Sequence, residues 1–201
     1  MSDRVVLGII HDSQMDSEFV RSLSYLLKDR PDEIAGTIFV AGGAGRLDNA
    51  RNSVAKQFIE KTKCEWLLTL DTDMVFATSD YDALRATEGE IVSGLYFVDE
   101  KPPRAAVAVT KRNGSIKSLD DWKEGEILDV DWCGAGFMLI HRSVFEKLGN
   151  EPYRQDVVAP SGALVGEDYA FCERARNAGF SIKVNPDIFI GHVKTRVLGY
   201  E

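Results

Sequence analysis

Two aspartates separated by one residue, Asp71 and Asp73, directly follow the short apolar segment Trp66–Leu70. Such a segment predicts a buried strand, and ligands of open α/β sheets bind beyond the carboxyl ends of the strands. Carboxylate oxygens are hard ligands that suit Mg²⁺ or Mn²⁺, and such an ion bridges phosphate oxygens. Because a D-x-D pair also occurs by chance in solvated turns, its position after the strand is what favours a metal site here.

A second acidic pair, Glu167 and Asp168, opens a predicted helix after a long irregular segment. Acidic side chains in a first helical turn interact favourably with the helix dipole, which is a sufficient structural reason for the pair. A carboxylate fixed at a helix start is also well placed to take a proton from an incoming hydroxyl. His192 follows a predicted strand next to Gly191, where a structural role and a metal-ligand role both fit a lone histidine.

An alternation of strands and helices must position these residues. Apolar runs predict strands over Val5–Ile10, Thr37–Val40, Trp66–Leu70, Ile91–Val98, Ala105–Thr110, Ile127–Val130, Gly136–Ile140 and Asp187–Ile190. Helical spacing and end signals predict a helix capped by Asp16 or Ser17, and others over about Asp48–Thr62, Val144–Leu148 and Glu167–Ala178. Since strands buried on both faces alternate with helices, we expect a mostly parallel sheet flanked by helices. The segment Gly149–Val165 is predicted to be a functional or mobile loop.

The composition is that of a globular protein of one domain. Of 201 residues, 44% are hydrophobic and 28% are charged, and the formal net charge is −8. That charge argues against a broad nucleic-acid surface, although a local basic patch is compatible with it. No apolar run approaches the roughly 20 residues that span a bilayer, and no signal peptide is recognisable, so we expect a cytoplasmic protein. Cys64, Cys133 and Cys172 form no C-x-x-C pair, which favours small core residues over zinc ligands.

Common sequence motifs of nucleotide-binding proteins and of α/β-hydrolases are incomplete or absent in this sequence. The glycine-rich stretch Gly42–Gly45 lies between a predicted strand and a predicted helix, but Asp48 takes the third glycine position of G-x-G-x-x-G. A carboxylate there would face the pyrophosphate that the helix start binds. Neither G-x-x-x-x-G-K-[ST] nor G-x-S-x-G occurs, so a P-loop and an α/β-hydrolase elbow are excluded at the level of the motif.

Four segments in this order resemble the motifs of GT-A-fold glycosyltransferases, of the family 2-like kind that includes small bacterial and phage enzymes. They are the D-x-D segment Leu67–Met74, the glycine-containing strand Gly134–Arg142, the helix start Gly166–Cys172 and the late pair Gly191–His192. Asn49–Asn52, before the long helix, is also typical of these enzymes. The resemblance covers nearly the whole chain. It implies a Rossmann-like GT-A fold in a single domain, 1–201, with a nucleotide-sugar-binding half at 1–98 and an acceptor and catalytic half at 99–201.

The resemblance implies a role for each acidic candidate and for the late histidine. Asp73 would bind Mn²⁺ or Mg²⁺ directly, and Asp71 would contact the ribose or sugar and also the metal. His192 would complete the protein ligands. Asp168 would be the general base, with Glu167 supporting it.

The resemblance also implies the substrates. His11 and Asp12, after the first strand, would recognise the base or ribose, and Arg51 would face the nucleotide or the aspartates. The donor would be a nucleotide-diphosphate sugar, and a hexosyl group would pass with inversion to a hydroxyl of an acceptor glycan or another compound. A divalent cation stabilises the charge that develops on the leaving phosphate, and a carboxylate base adds typically about 10²–10⁴-fold.

Two alternatives stay open. A sugar-nucleotidyltransferase uses similar aspartates, but it normally carries a glycine-rich basic loop where this chain has His11–Gln14. A catalytically inactive nucleotide-sugar or carbohydrate-binding domain could keep the same residues. The sequence also leaves open the sugar, the nucleobase, the acceptor, retention or inversion, and the oligomeric state. Because nine residues follow His192, we expect a minimal enzyme, a lid from a partner, or a missing lid.

Overall fold

The structure, a computed structural model, describes residues 2–12, 14–42, 46–100, 103–110, 116–118, 121–123, 125–156 and 165–194. Ser13, most of the predicted glycine-rich loop (43–45), the middle of the predicted long loop (157–164) and the chain end (195–201) lie outside the described residues. The helices are α1 Ser17–Asp29, α2 Leu47–Lys61, α3 Thr78–Ala86, α4 Arg142–Leu148 and α5 Glu167–Asn177. The strands are β1 Ser2–His11, β2 Ile34–Ala41, β3 Cys64–Asp71, β4 Met74–Val75, β5 Ile91–Leu95, β6 Phe97–Glu100, β7 Pro103–Ala105, β8 Val107–Thr110, β9 Ile116–Ser118, β10 Leu128–Val130, β11 Trp132–Cys133, β12 Phe137–His141, β13 Ile182–Phe189 and β14 Gly191–His192.

A seven-stranded sheet forms the centre of the molecule, in the order β10-β13-β5-β12-β3-β1-β2. β1, β2, β3, β5 and β13 run in one direction, while β10 and β12 run in the opposite direction. The predicted mostly parallel sheet is therefore confirmed. Because β12 lies between β3 and β5, its first residues reach the edge of the sheet where β3 ends.

Apolar side chains cover both faces of this sheet. One core cluster includes Val54 and Phe58 of α2 together with side chains of α4 and α5. The other includes Phe19 and Leu26 of α1 together with side chains of α3. Along β1, alternate residues enter opposite clusters: Val5, Leu7 and Ile9 on one face, Val6 and Ile10 on the other. This explains the continuous apolar run, since side chains of a strand alternate between the two faces of a sheet.

Local signals place several element ends correctly. α1 begins after Asp16, whose carboxylate accepts a hydrogen bond of 2.8 Å from the amide of Glu18. After α5, Gly179 has a φ of +96°, a conformation that glycine adopts without strain. The predicted strand Ile91–Val98 is instead two strands, β5 and β6, which break at Tyr96. Helix α3 is not predicted by the sequence patterns, because its nine residues are too few to show a clear period.

The cysteines behave as the sequence predicts, since Cys64, Cys133 and Cys172 are all free and buried. None of the described helices combines the length and the apolar character that crossing a bilayer requires.

Candidate functional site

The D-x-D pair lies at the end of a central strand. Asp71 is the last residue of β3 and pairs with Ile10 of the neighbouring β1. Its amide donates a hydrogen bond of 3.0 Å to the carbonyl oxygen of Gly136, just before β12. Asp73 follows in the turn that leads to β4. The pair therefore stands where the strands β1, β3 and β12 meet at one edge of the sheet.

A short antiparallel pairing of strands brings His192 to Asp73. β14 pairs with β4, so that His192 lies opposite Met74. The amide of Val193 then donates a hydrogen bond of 2.8 Å to the carbonyl oxygen of Asp73. As a result Nε2 of His192 lies 3.0 Å from Oδ2 of Asp73, although the two residues are 119 positions apart.

The surroundings of His192 orient its ring. Nδ1 lies 2.7 Å from the carbonyl oxygen of Phe97. Because a carbonyl oxygen only accepts, Nδ1 carries a hydrogen, and Nε2 is the ring nitrogen that faces Asp73. The ammonium of Lys194 contacts the same Nε2 and lies 3.6 Å from Oδ2 of Asp73. Burial raises the pKa of Asp73, but His192 and Lys194 outweigh it and hold that pKa below its usual value.

The donor set of Asp73 and His192 fits a divalent cation. Two ligands at about 2.1 Å from an octahedral ion lie about 3.0 Å apart, which is the observed separation of Oδ2 and Nε2. The hydrogen bond from Nδ1 to a backbone carbonyl is the usual way in which proteins orient a metal-binding histidine. In the described part of the chain no three His, Cys, Asp or Glu side chains form a metal-binding group. The protein would therefore supply two ligands, which suits an ion that also binds substrate phosphates.

Arg51 joins the first aspartate to the second acidic pair. Its Nη2 donates a hydrogen bond of 3.0 Å to Oδ2 of Asp71, and its Nε donates one of 3.2 Å to Oε1 of Glu167. Nη1 lies 3.4 Å from the carbonyl oxygen of Ala135. The arginine side chain is only 4% exposed. Burial lowers the pKa of Arg51, but the carboxylates of Asp71 and Glu167 outweigh this and raise it above its usual value.

The surroundings of Asp168 raise the pKa of its carboxyl above that of an ordinary aspartate. Burial, followed by the charge of Glu167, raises the pKa of Asp168 to about 6. The charge of Arg51 and a hydrogen bond of 2.7 Å from the amide of Tyr169 act in the opposite direction. A carboxyl with this pKa is ionised at neutral pH and binds a proton more readily than an ordinary aspartate.

Tyr96 is a site residue that the sequence analysis missed. Its ring packs edge-on against His192, with centroids 5.5 Å apart, and its hydroxyl oxygen accepts a hydrogen bond of 3.2 Å from the amide of Gly136. Burial, and then the charges of Asp71 and Asp168, raise the pKa of this hydroxyl well above its usual value. Tyr96 therefore lies close to Asp71 of the D-x-D pair, to Asp168 and to His192. The only signal in the sequence is an aromatic residue between two strands, which is not specific.

Two glycines leave space for this arrangement. A Cβ atom on Gly134 would lie 2.0 Å from the hydroxyl oxygen of Tyr96. A Cβ atom on Gly136 would lie 2.6 Å from Cε of Met74 and 3.1 Å from Oδ2 of Asp71. The glycines of the segment that resembles the later GT-A strand are thus required here by close packing around Tyr96 and Asp71.

His11 and Asp12 lie at the same edge of the sheet as the D-x-D pair. β1 ends at His11, one residue after the partner of Asp71. Nδ1 of His11 bonds to the carbonyl oxygen of Asp12 at 2.7 Å, and its ring packs edge-on against Phe39. Asp12 is exposed. The structure therefore places both residues at the predicted edge, and their role in base or ribose recognition stays a prediction.

Two buried polar hydrogens near the acidic pair lack an acceptor. Nε1 of Trp132 and the hydroxyl of Tyr153 make no hydrogen bond to the residues that the structure describes. The Trp132 indole still lies close enough to Asp168 to lower its pKa, although without hydrogen-bond geometry. Burial raises the pKa of the Tyr153 hydroxyl. The charge of Arg51 lowers this pKa, and the charge of Glu167 raises it. Both side chains therefore lie near the acidic pair, and each has a hydrogen-bond donor without a partner among the described residues.

A separate groove of about 830 Å³ lies between α2 and the loop after α4. It is lined by residues such as Asn52, Ile59, Phe145 and Pro152, and none of the predicted site residues contributes to it. We place the candidate site at the sheet edge, because that is where the convergent charges and the perturbed pKa values lie.

The topology of the sheet and its helices on both faces define the protein as an α/β protein with the GT-A fold. No family model and no curated protein matches the chain. Among solved structures, A197 from STIV is similar, with a TM-score of 0.58 and 16% identity over 98% of both chains.

GalNAc-T7, a glycosyltransferase solved with UDP, GalNAc and Mn²⁺, is also similar, with a TM-score of 0.60 and 15% identity. That match covers 95% of this chain but only 43% of GalNAc-T7. At these identities the likeness to both structures shows the shared fold and does not carry over an activity.

Proposed function

We propose that this protein is a metal-dependent glycosyltransferase that moves a sugar from a nucleotide-diphosphate sugar to an acceptor hydroxyl. The observation that carries the proposal is the 3.0 Å approach of His192 to Asp73, at the sheet edge where Arg51 pairs with Asp71 and Glu167. Residues from four distant segments thereby meet in one place. The GT-A fold supports the proposal, since GalNAc-T7 has this fold and holds UDP, GalNAc and Mn²⁺.

In this proposal the donor binds to the half formed by residues 1–98, with help from the late histidine. Asp73 and His192 would hold Mn²⁺ or Mg²⁺, and the ion would neutralise charge that develops on the leaving diphosphate. Asp71, oriented by Arg51, binds the ribose or sugar, and His11 and Asp12 recognise the base or ribose. Arg51 is only 4% exposed and pairs with two carboxylates, so in this proposal it orients the site and does not bind the nucleotide.

Asp168 acts as the general base in the half formed by residues 99–201. It takes the proton of the acceptor hydroxyl while the hydroxyl oxygen attacks the anomeric carbon and the bond to the diphosphate breaks. A single attack from the side opposite the leaving group inverts the anomeric centre. Glu167, which forms an ion pair with Arg51, helps to raise the pKa of Asp168 to about 6, which strengthens Asp168 as a base.

The test is a donor screen that measures release of nucleoside diphosphate from UDP-, GDP- and dTDP-sugars with Mn²⁺, with and without EDTA. Asp73→Ala should abolish metal-dependent donor binding in calorimetry. Asp168→Asn should leave donor binding intact but remove transfer. Asp129→Ala, an exposed aspartate on β10, is the matched control and should change neither. Absence of metal-dependent turnover with all three donors would reject the enzyme in favour of an inactive binding domain.

A further inference from the structure

We propose that Lys194 is an internal cation that occupies the metal position of the free protein, so that a divalent ion must displace it. This inference rests on the proposed metal site of Asp73 and His192. It concerns a residue of this chain that the fold alone does not assign to the site.

Two candidate ligand atoms lie side by side in the proposed metal site. Nδ1 of His192 donates its hydrogen to the carbonyl oxygen of Phe97, so Nε2 is the ring nitrogen that faces Asp73. Oδ2 of the Asp73 carboxylate lies 3.0 Å from this Nε2. A positive charge held beside both atoms would take the place of a divalent ion.

Lys194 supplies this charge. Its Nζ donates to Nε2 of His192 and lies 3.6 Å from Oδ2 of Asp73. The backbone fixes where the side chain starts, because the preceding residue, Val193, is hydrogen-bonded to the carbonyl oxygen of Asp73. The side chain is 40% exposed, so the ammonium has a path into solvent when another cation arrives.

The ammonium and a divalent ion exclude each other at this position. Nε2 has one lone pair, and it either accepts a hydrogen bond from Lys194 or binds a metal. A bound ion would also lie beside Asp73, where the charge of Lys194 would repel it. Metal binding by the free protein is therefore weakened. The diphosphate of a donor relieves the competition, because it adds oxygen ligands to the ion and offers the displaced ammonium a new anionic partner.

The experiment measures the affinity for Mn²⁺ alone by the loss of the free-ion signal in electron paramagnetic resonance. Lys194→Met removes the competing charge, and we expect its Kd to fall about fivefold, as befits a partly exposed ion pair. Lys56→Met is the matched control: it removes the same charge from an exposed position on α2 and should leave Kd unchanged. Asp73→Asn should lose the binding.

The outcomes separate this inference from the proposed function. If Lys194→Met binds Mn²⁺ no more tightly than the wild type, while Asp73→Asn still loses binding, the competition is rejected and the metal site stands. If Lys56→Met gains as much affinity as Lys194→Met, net charge explains the effect and the competition is again rejected. If no folded variant, including the wild type, binds Mn²⁺, the competition is rejected, and the proposed metal dependence is decided separately by the donor screen with and without EDTA. Circular dichroism of each variant checks that it is folded.

Discussion

Arg51 and Glu167 are 116 positions apart in the chain, yet Nε of Arg51 donates a hydrogen bond of 3.2 Å to Oε1 of Glu167. The same guanidinium donates to Oδ2 of Asp71 at 3.0 Å. One buried cation thus connects the end of β3 to the start of α5. In the proposed enzyme these are the metal-binding and the base-carrying segments, so that the ion pairs of Arg51 set the distance between them.

Replacing Arg51 should destabilise the protein strongly. Arg51→Met leaves the carboxylates of Asp71 and Glu167 without a counter-ion, and loss of one partner from a buried ion pair costs about 3–5 kcal/mol. Because Asp71 remains 28% exposed, we expect about 2–4 kcal/mol here. Urea unfolding at pH 7 measures this loss. Arg46→Met at the start of the same helix is the control, since that side chain is 64% exposed, and equal effects of the two substitutions would contradict the prediction.

Asp168→Asn should stabilise the protein at neutral pH while it abolishes transfer. Folding raises the pKa of Asp168 from its ordinary value of 3.8 to about 6, so the ionised carboxylate destabilises the folded protein at pH values above 6. Since one pKa unit corresponds to about 1.4 kcal/mol, the free energy of unfolding of the variant should be about 1–3 kcal/mol higher than that of the wild type at pH 7.

The sign of the pH dependence follows from the raised pKa. As the pH falls from about 6 towards 4, Asp168 becomes protonated in the folded wild type, and the advantage of Asp168→Asn should disappear. Over the same range the transfer rate of the wild type should fall as its base is protonated. Unfolding curves at pH 7 and pH 4.5 check the first statement, and a gain that does not depend on pH would contradict it.

Gly134→Ala should disrupt the site through Tyr96. The new Cβ would lie 2.0 Å from the Tyr96 hydroxyl oxygen and 2.9 Å from Cζ, so the ring, which packs against His192, must shift. We expect the free energy of unfolding to fall by about 1–3 kcal/mol, as it does when extra atoms are inserted into a packed core. In the Gly134→Ala background, Tyr96→Phe removes the nearest atom and should restore part of this loss, which a double-mutant cycle measures. Gly42→Ala, where the nearest atoms lie at 3.5 Å, should be tolerated.

Two buried tyrosines should respond differently to the loss of their hydroxyls. Tyr153→Phe should leave the free energy of unfolding unchanged or raise it by up to about 1 kcal/mol, since no partner of this hydroxyl exists among the described residues. Tyr81→Phe should lower the free energy of unfolding by about 1 kcal/mol, because the Tyr81 hydroxyl donates a hydrogen bond of 3.1 Å to Oε2 of Glu33. Thermal unfolding of both variants tests the contrast. A larger loss for Tyr153→Phe would indicate a bound water or ligand at this hydroxyl.

The sequence by itself determined the elements whose cause is local. The apolar run Val5–Ile10 is a strand because alternate side chains enter the core on both sides of the sheet. Asp16 caps α1 through its own carboxylate, and Gly179 ends α5 through its positive φ. The position of Asp71 at the end of an apolar strand likewise needs only the residues around it.

Only the tertiary structure decided which of these residues meet. His192 reaches Asp73 through the pairing of β14 with β4, and Lys194 follows it there. Arg51 is buried between two carboxylates that no periodic pattern connects to it, and Tyr96 enters the site at a break between strands. The physical reason is that a strand or helix pattern records which face is buried, whereas ion pairs and strand partners more than a hundred positions apart depend on the path of the whole chain.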